Sequence, residues 1–280
     1  MNKILLLALF SASWVAAPAG ASPATMRVDY VHSGNHETEM FSLDQVVIEA
    51  LPWSGNMAQP HDKTNRGKYL FEIVDPATGT VAWSRSFSSI YGEWETTGES
   101  RKINRSFHES VRFPAQADPF ELVMKKRGPG NRFEEVWRIE LDPADVLVHR
   151  ESAMFAGQVV AIHESGDPAT KVDLLLMGDG YTADEQEAFI AKAKELTEIL
   201  FATFPFRERK DDFNVWAMAP VAARSGVSRP SSGIQRHTDL RTRYDAFRSE
   251  RYVLTFDNRA LRDIAAHAPY EFVQILVNNA

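Results

Sequence analysis

From Met26 to Val31 apolar and polar residues alternate, the period-two pattern of a strand with one face buried. Gln45–Leu51 is apolar and β-branched, and Lys68–Val74 reads as a further strand. A turn signal, Asp75-Pro76-Ala77-Thr78-Gly79, follows, and Thr80–Phe87 returns, so the two runs predict a hairpin. Phe107–Phe113, Phe120–Lys126 and Phe133–Leu141 complete the series, bounded by Pro114, Gly128-Pro129-Gly130 and Asp142-Pro143. Short strands with turn signals between them predict an antiparallel sandwich over residues 24–150.

The pattern changes near residue 157. Gln158–His163 reads as one more strand, and Val172–Met177 is almost continuously apolar, as in a strand buried on both faces. Gly178-Asp179-Gly180-Tyr181 forms a turn, and Thr182 and Glu185 have capping-box spacing. Phe189, Ala193, Leu196 and Leu200 then recur at helical steps, predicting a helix of five to six turns that ends at Pro205. Phe213–Ala219 is the next strand, so strand, helix and strand predict a parallel pair. Asn258–Ala266 has a short helical period, and Glu271–Val277 is strand-like. No covering element follows that strand, which reads as an α/β domain that is incomplete as given.

The N-terminus adds a destination. Lys3 precedes an apolar run, Ile4–Ala17, too short for the roughly 20 residues of a membrane-spanning helix. Pro18 and the A-x-A spacing of Ala19-Gly20-Ala21 follow, which predicts a signal peptide over residues 1–21 and a secreted or periplasmic protein with no membrane segment after cleavage. The formal charge is −7, from 31 basic and 38 acidic residues, and loss of Lys3 makes it −8. That balance argues against a nucleic-acid partner, whose phosphates demand a basic face. The chain has no cysteine, which excludes disulfides, thiolate zinc sites, Fe–S clusters and a cysteine nucleophile in it.

Candidate chemistry is sparse. Gly178–Ala183 fits G-x-G-x-x-A between a strand and a helix, the context of a dinucleotide site. Export, the absence of an acidic residue at the end of the next strand, and the charge of Asp179 count against a cofactor; the plainer reading is a tight turn that needs glycine dihedrals. His108-Glu109 and His163-Glu164 do not complete H-E-x-x-H, and the Gly34-Asn35 turn separates His32 from His36. No G-x-S-x-G elbow occurs. The seven arginines between Arg224 and Arg251 read as a solvated, salt-bridged loop, with steering of an acidic substrate as the alternative. Tyr91 and Trp94 read as core aromatics, with sugar stacking as the alternative.

Several segments resemble the IgA-peptidase family of secreted zinc metallopeptidases. Val172–Thr182 is similar to the opening of its peptidase domain, and Pro205-Phe206, Asp212–Val215, Asp257–Ala266 and Val273–Asn278 are similar to later segments in the same order. Tyr91–Glu95 and Asn104–Glu109 resemble the β-sandwich that precedes that domain. The resemblance implies a multidomain chain: an antiparallel β-sandwich (24–150), then the N-terminal part of an incomplete α/β zincin-like domain (157–280). It implies a zinc-dependent endopeptidase acting on a protein or peptide substrate. The family's H-E-x-x-H lies C-terminal to the last strand, so no catalytic, metal or cofactor-binding residue carries over, and Gly178, Asp179, Gly180, Tyr181 and Thr182 match the family in a loop of unknown role. Zinc is expected for the complete protein and none for this chain, which is expected to be a fragment inactive on peptides; the alternative is a degenerate relative that binds glycan or protein.

Overall fold

The alternating segments of the first half form two antiparallel sheets. β1 (Ala24–Gly34) pairs with β2 (Glu39–Pro52) and β5 (Arg105–Pro114), giving the order β2-β1-β5. β3 (Tyr69–Val74), β4 (Val81–Phe87), β6 (Phe120–Arg127) and β7 (Phe133–Leu141) form the second, in the order β4-β3-β6-β7. The predicted β3–β4 hairpin is present, with Phe71 opposite Arg85. The inner faces of both sheets meet in one core: Met26, Val28 and Tyr30 from β1, Phe71 and Ile73 from β3, Leu122 and Met124 from β6. The computed structural model describes residues 22–279, so the predicted signal peptide lies outside the described residues.

β1 departs from the alternation in a telling way. The polar positions Arg27 and Asp29 should face water, yet they are 1% and 0% exposed. The outer face of β2-β1-β5 is covered by residues of the second half, so both faces of β1 are buried and the polar one is buried as ion pairs. α1 (Ile90–Trp94) is a short helix capped by Ser89, whose hydroxyl accepts from Gly92 N at 3.0 Å. Tyr91 and Trp94 are buried against Phe107, as the core reading requires.

The second half is a mixed sheet. β8 (Val160–His163), β9 (Val172–Asp179), β10 (Phe213–Met218) and β11 (Phe272–Val277) lie in the order β11-β9-β10-β8. β9 is central and parallel to β10 and β11, while β8 is antiparallel to β10. This central place explains its continuous apolar run, because both faces are covered. α2 (Gln186–Ala202) packs through Phe189 and Ala193 on Leu176, Val215 and Ala217. α3 (Asn258–Ala265) packs on the opposite face, near Leu175, Met177 and Met218.

The Thr182–Glu185 box forms: Thr182 N and Oγ1 donate to Glu185 Oε2 at 2.8 and 2.9 Å. The inner stripe of α2 differs from the predicted one. Thr197 is buried, whereas Leu196 and Leu200 are only half-buried. Thr197 is tolerated there because its hydroxyl donates to Ala193 O at 2.8 Å, one turn back.

Candidate functional site

Gly178–Thr182 spans the C-terminal end of β9: Gly178 and Asp179, expected in a turn, are still paired with β11 as its last two residues, and the turn begins at Gly180. The chain moves from β9 to β10 on one side, and β11 flanks β9 on the other, so this end is a switch point of the kind where parallel sheets bind ligands. Here the space is taken by the protein itself. A Cβ on Gly178 would lie 2.6 Å from the Ala219 Cβ and 2.8 Å from the Phe189 ring. Gly180 has φ +82°, and a Cβ there would meet the Gly226 carbonyl group at 2.7 Å. Gly226 N donates to Gly180 O at 2.9 Å, and Ala222 N to Tyr181 O at 2.8 Å. Both glycines therefore serve close packing of chain against chain, where a dinucleotide site would reserve the approach for pyrophosphate.

Asp179 holds this closure from inside. Its side chain is 1% exposed, and Oδ2 accepts from Thr238 Oγ1 and from Thr242 N, both at 2.9 Å. Burial pushes its carboxyl above the usual aspartate range, although these hydrogen bonds oppose the shift. Asn278, just after β11, donates to Gly180 O at 3.0 Å and to Ser225 Oγ at 3.1 Å, and Ser225 Oγ donates to Glu185 Oε1 at 2.7 Å. The predicted residues thus come together as a latch joining β9, β11 and the loop 222–242. Tyr181 is buried under α2 against Phe189, at 5.2 Å between rings.

A cleft of about 940 Å³ lies between the sandwich and the mixed sheet of the second half. Its walls include Arg85, Phe107, Arg112, Phe256, Arg262 and Glu271. Glu271 is exposed as a residue, but its Oε1 reaches within 3.1 Å of the position a Gly55 Cβ would take, next to the Trp53 ring. Burial of that tip pushes the carboxyl up to about 7, with Arg85 and Arg112 acting weakly in the other direction. The cleft therefore holds one carboxyl that changes charge near neutrality, while Arg112 is committed to Glu49 and Tyr270 O and Arg85 Nη1 to the Pro60 and Ser84 carbonyls.

Among the described residues, one group has the composition and spacing of a cation site: Asp29, Asp44 and His108. Its ligand atoms are already engaged. Asp29 accepts from Arg27 at 3.0 Å, Gln45 at 2.7 Å and Ser110 at 2.6 Å. Asp44 is paired with Arg259 and with His108 Nε2. Two arginines neutralise the two carboxylates, and a single imidazole is poor provision for zinc, whose protein sites use several nitrogen or sulfur donors. The donor set is that of an ion-pair network and does not fit the metal.

The arginines of 224–251 are occupied mostly by rings and carbonyls. Arg229 stacks on Tyr244 at 4.3 Å and Arg243 on Phe256 at 4.5 Å, and Arg236 donates to Ser225 O at 3.1 Å. Arg241 pairs with Asp257, and Arg248 lies 3.8 Å from Glu99.

The family model for IgA Peptidase M64 matches residues 160–280, and that for the Peptidase M64 N-terminus matches residues 20–138. The chain belongs to the M64 family of IgA peptidases. The M64 boundaries follow the sheets: the N-terminal match ends within β7, and the peptidase match begins on the first residue of β8. M64 peptidases are generally zinc-dependent metallopeptidases acting on protein or peptide. No curated protein matches the chain. No helix among the described residues is long and apolar enough to cross a membrane.

One buried centre escaped the sequence reading. His32 is 0% exposed, and its ring is stacked between Phe41 at 4.0 Å and Tyr91 at 3.8 Å. Nδ1 faces Glu109 Oε2 at 3.2 Å and Nε2 faces Glu39 Oε2 at 3.1 Å. Carboxylates facing both ring nitrogens favour the doubly protonated ring: burial pulls the His32 pKa down, but these hydrogen bonds outweigh it and raise the pKa above its ordinary value. The signal that could have found it is His32 at an inward position of β1, two residues after Tyr30, where charge has to be matched.

Proposed function

We propose that this chain is the N-terminal portion of an exported, zinc-dependent endopeptidase, and that the zinc ligands belong to a segment outside the described residues. The observation that carries the reading is the pair of M64 matches, which cover both halves in family order. Two structural features support it. The second half is a mixed sheet with helices on both faces, the architecture a zincin-like domain starts from. Beside α2, the half-buried Leu196 and Leu276 line an uncovered groove next to the edge strand β11, where a further element would find an apolar seat. The carboxylates and histidines described above do not form a zinc site, so no hydrolytic step is assigned to them.

The glycan-module alternative has less behind it, because Tyr91 and Trp94 are fully buried and offer no stacking platform. The test is to read the gene past Ala280, express its whole product in the periplasm or medium, and measure metal and peptide cleavage. An in-frame H-E-x-x-H, about one zinc per chain and chelator-sensitive cleavage are expected. A stop codon directly after Ala280, or a product that holds no zinc, would sink the proposal.

A further inference from the structure

The outer face of β2-β1-β5 grips the second half through polar contacts, of which those of Arg27 and Tyr270 are the most deeply buried. Arg27, with its side chain 1% exposed, donates to Asp263 of α3 at 2.6 Å while also paired with Asp29. Asn258 donates to Ser110 Oγ at 2.6 Å, and Arg259 pairs with Asp44. Tyr270 is held on every side. Ser54 Oγ donates to Tyr270 O and accepts from Tyr270 N, both at 3.1 Å. Arg112 donates to the same carbonyl at 2.8 Å, and its guanidinium lies 3.6 Å from the ring centroid. One residue later, Glu271 N donates to Asp173 O at 2.9 Å, and β11 begins at the next residue, Phe272. Phe107 adds an apolar contact, stacking on Phe256 at 5.9 Å.

The covalent connection between the halves is slight by comparison. After β7 the chain touches β2 once more at His149, whose N donates to Val46 O at 2.9 Å and whose O accepts from Ile48 N at 2.8 Å. Residues 150–158 then run without regular structure, mostly exposed, and Met154 is 99% exposed.

We propose that the sandwich is a permanently docked part of the second half, with the sheet face β2-β1-β5 acting as a built recognition surface for the segment Asp257–Glu271, and that this surface, not the linker, fixes where β11 starts. Relative motion is the default for domains joined by ordinary polar interfaces. Here movement would strip Tyr270 of its backbone partners and part the buried Arg27 guanidinium from Asp263, at a cost the linker does nothing to offset. The sandwich thereby becomes the second wall of the interdomain cleft, and its role is to hold geometry rather than to bind cargo at a distance. This inference is independent of the zinc reading and survives its failure.

The test uses the full chain with residues 151–157 replaced by a site-specific protease sequence of equal length. After complete cutting, gel filtration at physiological salt is expected to return both fragments in one peak at the uncut position. Separate peaks, or precipitation of either fragment, would overturn the proposal. Two variants, Arg112→Gln and Ser54→Ala, address the grip itself. Uncut, each is expected to keep its circular dichroism spectrum; cut, each is expected to dissociate at least ten-fold faster than the cut parent in a dilution-jump experiment. Equal dissociation rates would show that Tyr270 is not the anchor and would overturn that assignment.

Discussion

The His32 centre permits the sharpest prediction. Replacing His32 by Phe keeps a flat ring between Phe41 and Tyr91 but removes the charge that faces Glu39 and Glu109. Removing one member of a buried ion pair costs about 3–5 kcal/mol, because the partner stays buried without its counter-charge. Both carboxylates keep other donors: Lys126 and the Tyr69 hydroxyl, each at 2.9 Å, for Glu39, and Tyr91 N at 3.1 Å for Glu109. The loss should therefore fall at the low end, about 3 kcal/mol, or about 6–12 °C in Tm at roughly 2–4 °C per kcal/mol for a chain of this size. The pH dependence supplies an independent check. Burial lowers the His32 pKa, but hydrogen bonds to Glu109 and Glu39 raise it further, so the net shift is upward from 6.5. A raised folded pKa means that the stabilisation is complete below about 6.5 and is lost as pH rises through the folded value. For Glu39, burial raises the pKa but His32 and Lys126 lower it more, to about 2, from 4.5; its contribution is complete above 4.5 and lost as pH falls toward 2. Urea denaturation across pH 4–9 should show wild-type stability falling on the alkaline side and His32→Phe losing that limb. A loss under about 1 kcal/mol, or an alkaline limb unchanged in the variant, would refute the imidazolium assignment.

Three further outcomes follow from the latch and the cleft. Gly180→Ala places a Cβ at φ +82° and against the Gly226 carbonyl, and should cost about 2–4 kcal/mol in urea unfolding, since left-handed backbone alone costs roughly 1–2 for an L-residue; a neutral result would mean the 222–227 loop is not tightly closed. Asp179→Ala should expose amides of 238–242 to faster hydrogen exchange while the sandwich amides stay protected, with about 2–4 kcal/mol lost from two orphaned donors; unchanged exchange there would remove Asp179 from the latch. The Glu271 carboxyl should titrate near 7 by carbon-detected NMR, and Arg85→Gln should move it further up, because Arg85 favours the charged form; a value near 4.5 would show the tip to be fully solvated.

Periodicity made most of this fold legible. The hairpin β3–β4, the strands β9 and β10, the capping box at Thr182 and the strand β11 all follow from spacing, because each is specified within a few residues of itself, and the helix between β9 and β10 fixes their pairing as parallel. What escaped depends on contacts distant in sequence. Alternation in β1 reads as one wet face, and only α3, more than 200 residues later, turns Arg27 and Asp29 into buried residues. In α2 the buried position after Ala193 is Thr197 in place of the expected Leu196, because Thr197 reads as polar until its hydroxyl is seen bonded to Ala193 O. The candidate site was legible as a turn with special glycines but not as a latch, since the partners of Gly180 and Asp179 lie in an irregular loop some 46–63 residues away.

The two features that most resembled ligand sites turn out to be filled for one physical reason. A glycine in a tight turn leaves room for something to approach the backbone, and a cluster of carboxylates leaves negative charge to be matched. Neither property says what fills the room or matches the charge. At Gly178 and Gly180 the occupant is the chain itself, through Ala219, Phe189 and Gly226; at Asp29 and Asp44 it is Arg27 and Arg259. A motif becomes a ligand site only where the structure leaves its capacity unspent. By that criterion, open space among the described residues includes the interdomain cleft and the groove beside α2, both bordered by β11. The strand that the sandwich holds in register through Tyr270 is thus the element on which the remaining capacity of this M64 chain converges.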